Sequence, residues 1–298
     1  MDIESFWEYS DPAASETRFR QALESAKGDR RLELLTQIAR SYGLRDRFEE
    51  AHQLLDEVES QLAGAGPRPR LRYLLERGRT YNSGGDRDKA RPLFVEAWEG
   101  AQSGGQAGLA VDAAHMAAVT HSGSPEAVEW NERGLSIARG SQDAKARAMV
   151  PAMLNNSAWD LFDMGRFEEA LGWFEQAREE WIQRGQPRQI HIARWAVGRC
   201  LRALERPAEA LEIQRALAAE DEAAGAADGF VYEELAENLA AMGRSDEAGP
   251  YFAKAADQLS QDPWFVENEA ARLASLKERV GSAERSKASP GHCTSWWR

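Results

Sequence analysis

Side chains that could perform catalysis or bind a metal are few and poorly spaced in this chain of 298 residues. His115 and His121 are six residues apart, whereas two metal ligands on one helix face need a spacing of three or four. Cys200 and Cys293 have no second cysteine nearby, which excludes a disulfide framework and a cysteine-rich zinc site. The glycine-rich phosphate loop, the nucleophile elbow and the zinc-protease motif are all missing from the sequence. We therefore expect no enzyme activity, no catalytic residue, no cofactor and no metal.

Arginine, asparagine and tryptophan are the side chains whose chemistry is informative, and that chemistry is recognition. Arginine binds carboxylates through two parallel hydrogen bonds, asparagine can bond an extended backbone, and tryptophan supplies contact area that loses its water. These residue types occur in segments that recur along the chain. The elements that carry the segments therefore decide which of these side chains share a surface.

One pattern recurs six times: a helix with a small residue, a turn, and an alanine that begins a second amphipathic helix. The alanines are separated by 37 to 43 residues, at Ala51, Ala90, Ala127, Ala170, Ala210 and Ala248. In five copies a small residue lies twelve positions earlier, at Ala39, Gly78, Ala158, Gly198 and Ala236. The third copy is unusual, because Asn131 and Gly134 replace an apolar residue and an alanine. A period of this length predicts a stacked array of helix pairs.

This pattern resembles the tetratricopeptide repeat (TPR) over roughly residues 31 to 260. In that family a small residue of the first helix packs against the alanine of the second, so that the two helices approach closely. The spacing exceeds the 34 residues usual for the family. In this respect the chain resembles the long-repeat variety found in kinesin light chains. The resemblance implies an all-α, right-handed superhelical solenoid of about six helix pairs with helical caps, in which the first helices line a concave groove.

The groove positions lie three residues before, one after and four after the small residue of each first helix. With their neighbours they give a set of candidate ligand-binding residues: Arg40, Arg79, Asn82, Asn155, Asn156, Trp159, Trp195, Arg199, Arg202, Glu233 and Glu237. The resemblance implies that these residues bind a protein or peptide segment, with arginines on carboxylates and asparagines on main chain. The alternative is that the tryptophans pack between neighbouring repeats and the arginines pair with glutamates inside the array.

The two ends of the chain differ from the repeats. We expect an N-terminal helical cap over residues 1–30, the repeat array over 31–260, a C-terminal capping helix over 261–280 and a flexible tail over 281–298. The tail contains a short motif of Cys293, Trp296, Trp297 and Arg298. A second hypothesis therefore treats the array as a carrier or self-recognising scaffold whose tail is the functional segment.

Charge and hydropathy limit the partners. The formal net charge is −12, which opposes nucleic-acid binding, and a reader of single-stranded RNA would need a basic groove. The chain has no apolar run long enough to span a membrane, and its N-terminus lacks the order of a secretory signal. We expect a cytoplasmic protein without a membrane partner. The sequence leaves the identity of the partner and the oligomeric state open.

Overall fold

The computed structural model describes residues 3–288, and the side chains as far as residue 280. This part of the chain forms α-helices and short 3-10 turns without a strand. The predicted all-α fold of paired helices is therefore confirmed. The helices are α1 (Pro12–Leu23), α2 (Gly28–Gly43), α3 (Phe48–Glu59), α4 (Pro67–Ser83), α5 (Arg87–Ser103), α6 (Ala107–Thr120), α7 (Pro125–Gly140), α8 (Ala144–Ala148), α9 (Val150–Asp163), α10 (Phe167–Gln183), α11 (Pro187–Ala203), α12 (Pro207–Ala224), α13 (Gly229–Ala241), α14 (Ser245–Leu259), α15 (Pro263–Asn268) and α16 (Ala270–Ala288).

The helices form two compact units. The first, Met1–Met164, contains α1 to α9, and the second, Gly165–Arg298, contains α10 to α16. In the first unit α2 packs on α4 and α4 packs on α6, so the first helices of successive pairs form one layer. In the second unit α11 packs on α13 in the same way. Because of this layering, side chains at one register of successive first helices become neighbours.

Close crossing between the two helices of a pair explains the small residues. All six anchoring alanines are buried, as are the small residues of the first helices. A Cβ atom added to Gly78 would lie 2.6 Å from Cε1 of Phe94, whose ring is itself fully buried. The α4–α5 crossing therefore has no room for a side chain at this position.

The turn inside a pair contains one residue in the left-handed conformation. In five turns it lies five positions before the anchoring alanine: Asp46, Gly85, Gly165, Glu205 and Gly243. Three of the five are glycine, which adopts positive φ without steric strain. Glu205, at φ 59°, carries a Cβ that crowds the backbone there.

The caps are built on aromatic clusters. Phe19 of α1 is fully buried, with its ring centroid 5.8 Å from that of Phe6 and 5.0 Å from that of Trp7. Near the other end, Phe265 of α15 is fully buried beside Phe230 of α13. These contacts cover apolar faces that have no further repeat to pack against.

Helix α16 extends to Ala288, eight residues beyond the predicted end of the capping helix at residue 280. The physical reason lies in composition, since this stretch contains Ala, Glu, Arg and Lys, which favour helix. The first proline after residue 280 is Pro290. The predicted tail motif of Cys293, Trp296, Trp297 and Arg298 lies outside the described residues.

Candidate functional site

A polar cavity of about 740 Å³ lies on the layer of first helices in the first unit. Its walls come from α2, α4, α6 and α8 and from the segment that precedes α1. We call it the unit 1 cavity, and the side chains that matter to its chemistry are Glu4, Tyr9, Arg40, Arg68, Arg72, Asp112 and Lys145. Four successive repeats thus contribute to one concave surface.

Local sequence explains how the last wall is placed. Pro151 falls in the first turn of α9, and the first helix of the fourth repeat is divided at Met149 into α8 and α9. Asp143 caps α8 by accepting a hydrogen bond from the Lys145 amide at 2.8 Å. Its other carboxylate oxygen accepts from the Gly108 amide at 3.0 Å. One aspartate therefore fixes α8 against the start of α6.

A buried glutamate organises the centre of the surface. Glu76 has no exposed surface and accepts hydrogen bonds from Gln37 Nε2 at 3.2 Å and from Arg79 Nη1 at 2.9 Å. Arg40 Nη1 lies 3.7 Å from the same oxygen. Arg79 also donates to Asp112 on α6. Burial acts to raise the pKa of Asp112, but the Arg79 and Arg40 guanidiniums outweigh it and hold that pKa below its usual value.

The segment before α1 completes this network. Arg72, only 3% exposed, pairs with Glu4, and the Arg40 guanidinium lies 5.3 Å from the Trp7 ring centroid and 5.5 Å from that of Tyr9. Sequence reasoning missed Glu4, Tyr9, Arg68, Arg72 and Asp112. For the two arginines a signal was present: Arg68 and Arg72 continue the face of Arg79 toward the start of α4 at helical spacing.

Hydrogen bonding in this cluster is incomplete within the described residues. The Nε atoms of Arg40 and Arg72 and the Oε2 atom of Glu76 are buried, and no described protein atom completes a hydrogen bond to them. Buried polar atoms are nearly always bonded to protein or to ordered water. The cluster therefore has capacity for additional donors and acceptors.

The predicted charged residues of the second unit form ion pairs with residues outside the predicted set. Arg199 donates to Glu234 at 3.0 Å, and Arg202 binds the same carboxylate with two hydrogen bonds of 2.8 Å. Two arginines of α16 bind the predicted groove acids: Arg272 holds Glu233 at 2.7 and 2.6 Å, and Arg279 pairs with Glu237. The charges of α11, α13 and α16 thus connect neighbouring helices, and the acidic face is neutralised by the capping helix.

A second, mainly apolar cavity of about 940 Å³ lies between α11, α12 and α13. Trp195 lines it together with Ile190 and Phe230, and the Trp195 Nε1 atom donates to the Phe230 carbonyl at 3.2 Å. At its rim, His191 Nε2 lies 2.9 Å from Oδ1 of Asp221, whose pKa is raised by burial. Trp195 therefore combines packing between helices with exposure to a cavity.

The predicted asparagines occupy several environments. Asn82 is partly buried on α4, with its Oδ1 atom lacking a hydrogen-bond partner among the described residues, and Asn155 is partly buried on α9. Asn156 and Trp159 line a third cavity of about 240 Å³, whose floor includes Asn131. Asn156 and Trp159 thus line one cavity together with a residue of the second helix, whereas Asn155 is not among its lining residues.

The described residues contain no group of three or more His, Cys, Asp or Glu side chains that could hold a metal ion. Burial raises the pKa of the Cys200 thiol to about 11, and Cys200 Sγ donates to the Phe167 carbonyl at 3.3 Å. A thiol in this state is a poor nucleophile. Over the same part of the chain, every helix is too short or too polar to cross a membrane.

Comparisons with known proteins agree with the architecture. The sequence model of a family described as "Tetratricopeptide repeat" matches residues 152–183. The apo form of RapI superimposes with a TM-score of 0.75 at 13% identity, over 96% of this chain and 83% of RapI. NprR in complex with its cognate peptide NprX gives 0.51 at 14% identity, over 93% and 83% of the two chains. TPR-like repeats of a kinesin light chain from Podosopora anserina give 0.56 at 19% identity, over 67% and 99%. Comparison with curated protein sequences gives no match.

Proposed function

We propose that this chain, whose residues 152–183 match a tetratricopeptide repeat model, is a regulatory scaffold that binds a protein or peptide segment in the unit 1 cavity. The observation that carries the proposal is the combination of an open cavity with buried charged groups whose hydrogen bonding is incomplete, Arg40 and Arg72 on successive first helices among them. Such groups are already desolvated and held in place, so a ligand that bonds to them loses little free energy in ordering them.

The ligand chemistry follows from the charges of the cavity. The wall contains both cationic side chains (Arg40, Arg68, Arg72) and carboxylates (Glu4, Asp112). A polypeptide, which offers backbone donors, backbone acceptors and side chains of either sign, matches this mixture of charges. A nucleic-acid backbone does not, because its phosphates would meet the carboxylates.

The similarity to NprR supports the same proposal at the level of fold. That protein was crystallised with its cognate peptide NprX, and its chain superimposes on nearly the whole of this one. The proposal for this chain rests on its own cavity, and the similarity adds that an array of this fold accommodates a peptide.

The test is selection of binders from a random peptide library displayed on phage, followed by affinity measurements on variants. Tyr9→Ala and Arg68→Gln change exposed residues of the cavity wall, since the Arg68 side chain is 43% exposed. Arg133→Gln is the matched control, because its side chain is 51% exposed on α7 and it does not line the cavity. We expect both wall variants to weaken selected peptides about tenfold or more, with the control unchanged. Tyr9→Ala should keep the melting temperature of the wild type, whereas Arg68→Gln should lower it, because it also removes the ion pair with the buried Glu33.

Failure to select any peptide would contradict the proposal. Equal affinities for the wild type and both wall variants would place the ligand elsewhere and also contradict it. Arg199 and Arg202 are unsuitable for this test, because their removal leaves the buried Glu234 carboxylate without a counter-ion and destabilises the second unit.

A further inference from the structure

The third cavity lies where the third copy departs from the repeat pattern. Four residues after the anchoring alanine, the other copies have Leu55, Phe94, Phe174, Gln214 and Phe252. The third copy has Asn131, which has no exposed surface. A short amide thus stands where a large side chain fills the space in the neighbouring repeat of the same unit. Asn131 is one of the residues that line the cavity of about 240 Å³.

Asn131 is incompletely bonded by the protein around it, with His115 as the one polar neighbour in the described residues whose pKa it affects. Its Oδ1 and Nδ2 atoms are both buried and form no hydrogen bond of good geometry with the described residues. Burial lowers the pKa of the neighbouring His115 ring, and Asp112 and the Asn131 amide oppose this shift, yet His115 Nδ1 is also buried without a completed hydrogen bond. Gln214 holds the same register in the fifth copy, and its amide nitrogen donates to the Trp195 carbonyl at 3.2 Å. The fold can therefore satisfy an amide nitrogen here, whereas Asn131 keeps its hydrogen-bonding capacity beside a cavity.

The remaining walls are acidic and aromatic. Asp160 and Asp163 come from α9, as do Asn156 and the indole of Trp159. The lining residues in the described part of the chain include two carboxylates and no lysine or arginine. Asp160 Oδ1 accepts hydrogen bonds from the Gly123 amide at 2.7 Å and from Ser122 Oγ at 3.1 Å. Burial nevertheless raises the pKa of Asp160, so its charge is poorly stabilised by the protein alone.

We propose that this pocket binds the guanidinium group of an arginine side chain, and, resting on the function proposed above, that this arginine belongs to the bound protein or peptide segment. A guanidinium has five N–H donors in a planar fork, which suits two carboxylates and an amide oxygen arranged around one space. The flat face of the guanidinium also packs favourably on an indole ring. A lysine ammonium packs less well there. The pocket therefore selects arginine over lysine and over neutral side chains.

The probe is N-acetyl-argininamide, compared with N-acetyl-citrullinamide, its neutral isostere, and with N-acetyl-lysinamide. Binding is followed by the side-chain amide NMR signal of Asn131, which is assigned by its absence from the Asn131→Leu variant. We expect a dissociation constant on the order of 1 mM for argininamide, as is usual for so small a ligand. Citrullinamide should bind at least tenfold more weakly and lysinamide should fall between them.

Two variants complete the test. Asp163→Asn changes an exposed carboxylate at the pocket and should weaken argininamide about tenfold, whereas Asp257→Asn, an exposed aspartate of α14 outside the pocket, should have no effect. Asn131→Leu, in which binding is followed by the indole NMR signal of Trp159 instead, should abolish binding. Equal affinities for argininamide and citrullinamide, or unchanged affinity in Asp163→Asn, would overturn the proposal.

The outcome separates this proposal from the function on which it depends. Tyr9→Ala and Arg68→Gln do not line the pocket and should leave argininamide binding unchanged. Peptides that bind the unit 1 cavity together with no response at Asn131 would refute the arginine pocket alone. An argininamide response without any peptide binder would refute the proposed function and leave only the pocket chemistry.

Discussion

Replacing Asn131 by leucine should stabilise the first unit, although it changes a fully buried residue. Both polar atoms of the amide are buried and form no hydrogen bond of good geometry with the described residues, although the amide lies close enough to His115 to affect the pKa of that ring. A buried polar group left in this state costs about 1 to 3 kcal/mol. Leucine has a similar size and would contribute apolar burial in place of that penalty. Most core substitutions destabilise, so a gain in stability here would be a distinctive result.

The size of the effect can be estimated from the environment of the residue. Removing the unpaired amide contributes about 2 kcal/mol, and the added apolar contact contributes roughly 1 kcal/mol more. The introduced leucine side chain would also crowd the close packing of α6, α7 and α9. Such overpacking costs about 1 kcal/mol or more, which offsets part of the gain in stability. The expected net gain is therefore about 2 kcal/mol. For a unit of this size, that corresponds to roughly 4 to 8 °C in Tm.

The assay is differential scanning calorimetry of the wild type and Asn131→Leu under identical conditions, with urea unfolding as a second measure. Gln214→Leu is the matched control, because Gln214 has the same register and burial, and only its Oε1 atom lacks a partner among the described residues while its Nε2 atom donates to the Trp195 carbonyl. We expect Gln214→Leu to change Tm by less than half of the change expected for Asn131→Leu. A lower or unchanged Tm for Asn131→Leu would show that the amide is satisfied in the folded protein, and the reasoning would be wrong.

Two further substitutions test the packing and the electrostatics of the first unit. Gly78→Ala should destabilise the first unit by about 1 to 2 kcal/mol in urea unfolding, because the new Cβ would lie 2.6 Å from the Phe94 ring. The cost of this overpacking exceeds the gain in helix propensity. An unchanged urea midpoint would contradict the close crossing. Asp112→Asn should lower stability by about 2 kcal/mol at neutral pH, because a charged hydrogen bond with Arg79 is lost. Since the pKa of Asp112 is lower in the folded than in the unfolded chain, the stability it contributes is present above about pH 4 and is lost as pH falls through the folded pKa. The thermal midpoints of wild type and variant should therefore converge in acid, and a difference that stays constant with pH would show that the Asp112 charge contributes nothing.

The sequence located the close contacts of the fold. Small residues twelve positions before five of the six alanines, such as Ala39 before Ala51, are buried as the pattern required. This succeeded because a close helix crossing admits only small side chains, so the constraint is visible in residue type alone. The helix ends were predictable for a similar local reason, since caps such as Asp11, which accepts from the Ala14 amide at 2.9 Å, act over three residues.

The partners of the charged residues were not predictable in the same way. Arg199 and Arg202 were placed on one face by helical spacing, but their common partner Glu234 lies more than thirty residues away in sequence. Which acid an arginine reaches depends on the distance and rotation between neighbouring first helices, and these are set by packing of the whole layer. The sequence therefore identified which side chains share a surface and left open whether a ligand or the array itself binds them.

The cavities were decided by tertiary structure alone. In sequence, Asn131 is only an exception to a repeat pattern, and Glu4 and Tyr9 precede the first helix without any periodic signal. In the folded chain Asn131 lines the pocket of about 240 Å³, and Glu4 and Tyr9 line the unit 1 cavity. Spacing along the chain encodes which residues lie on one helix face, because a helix is a local structure. A cavity is a property of several helices at once, and it forms wherever their side chains together fail to fill the space between them.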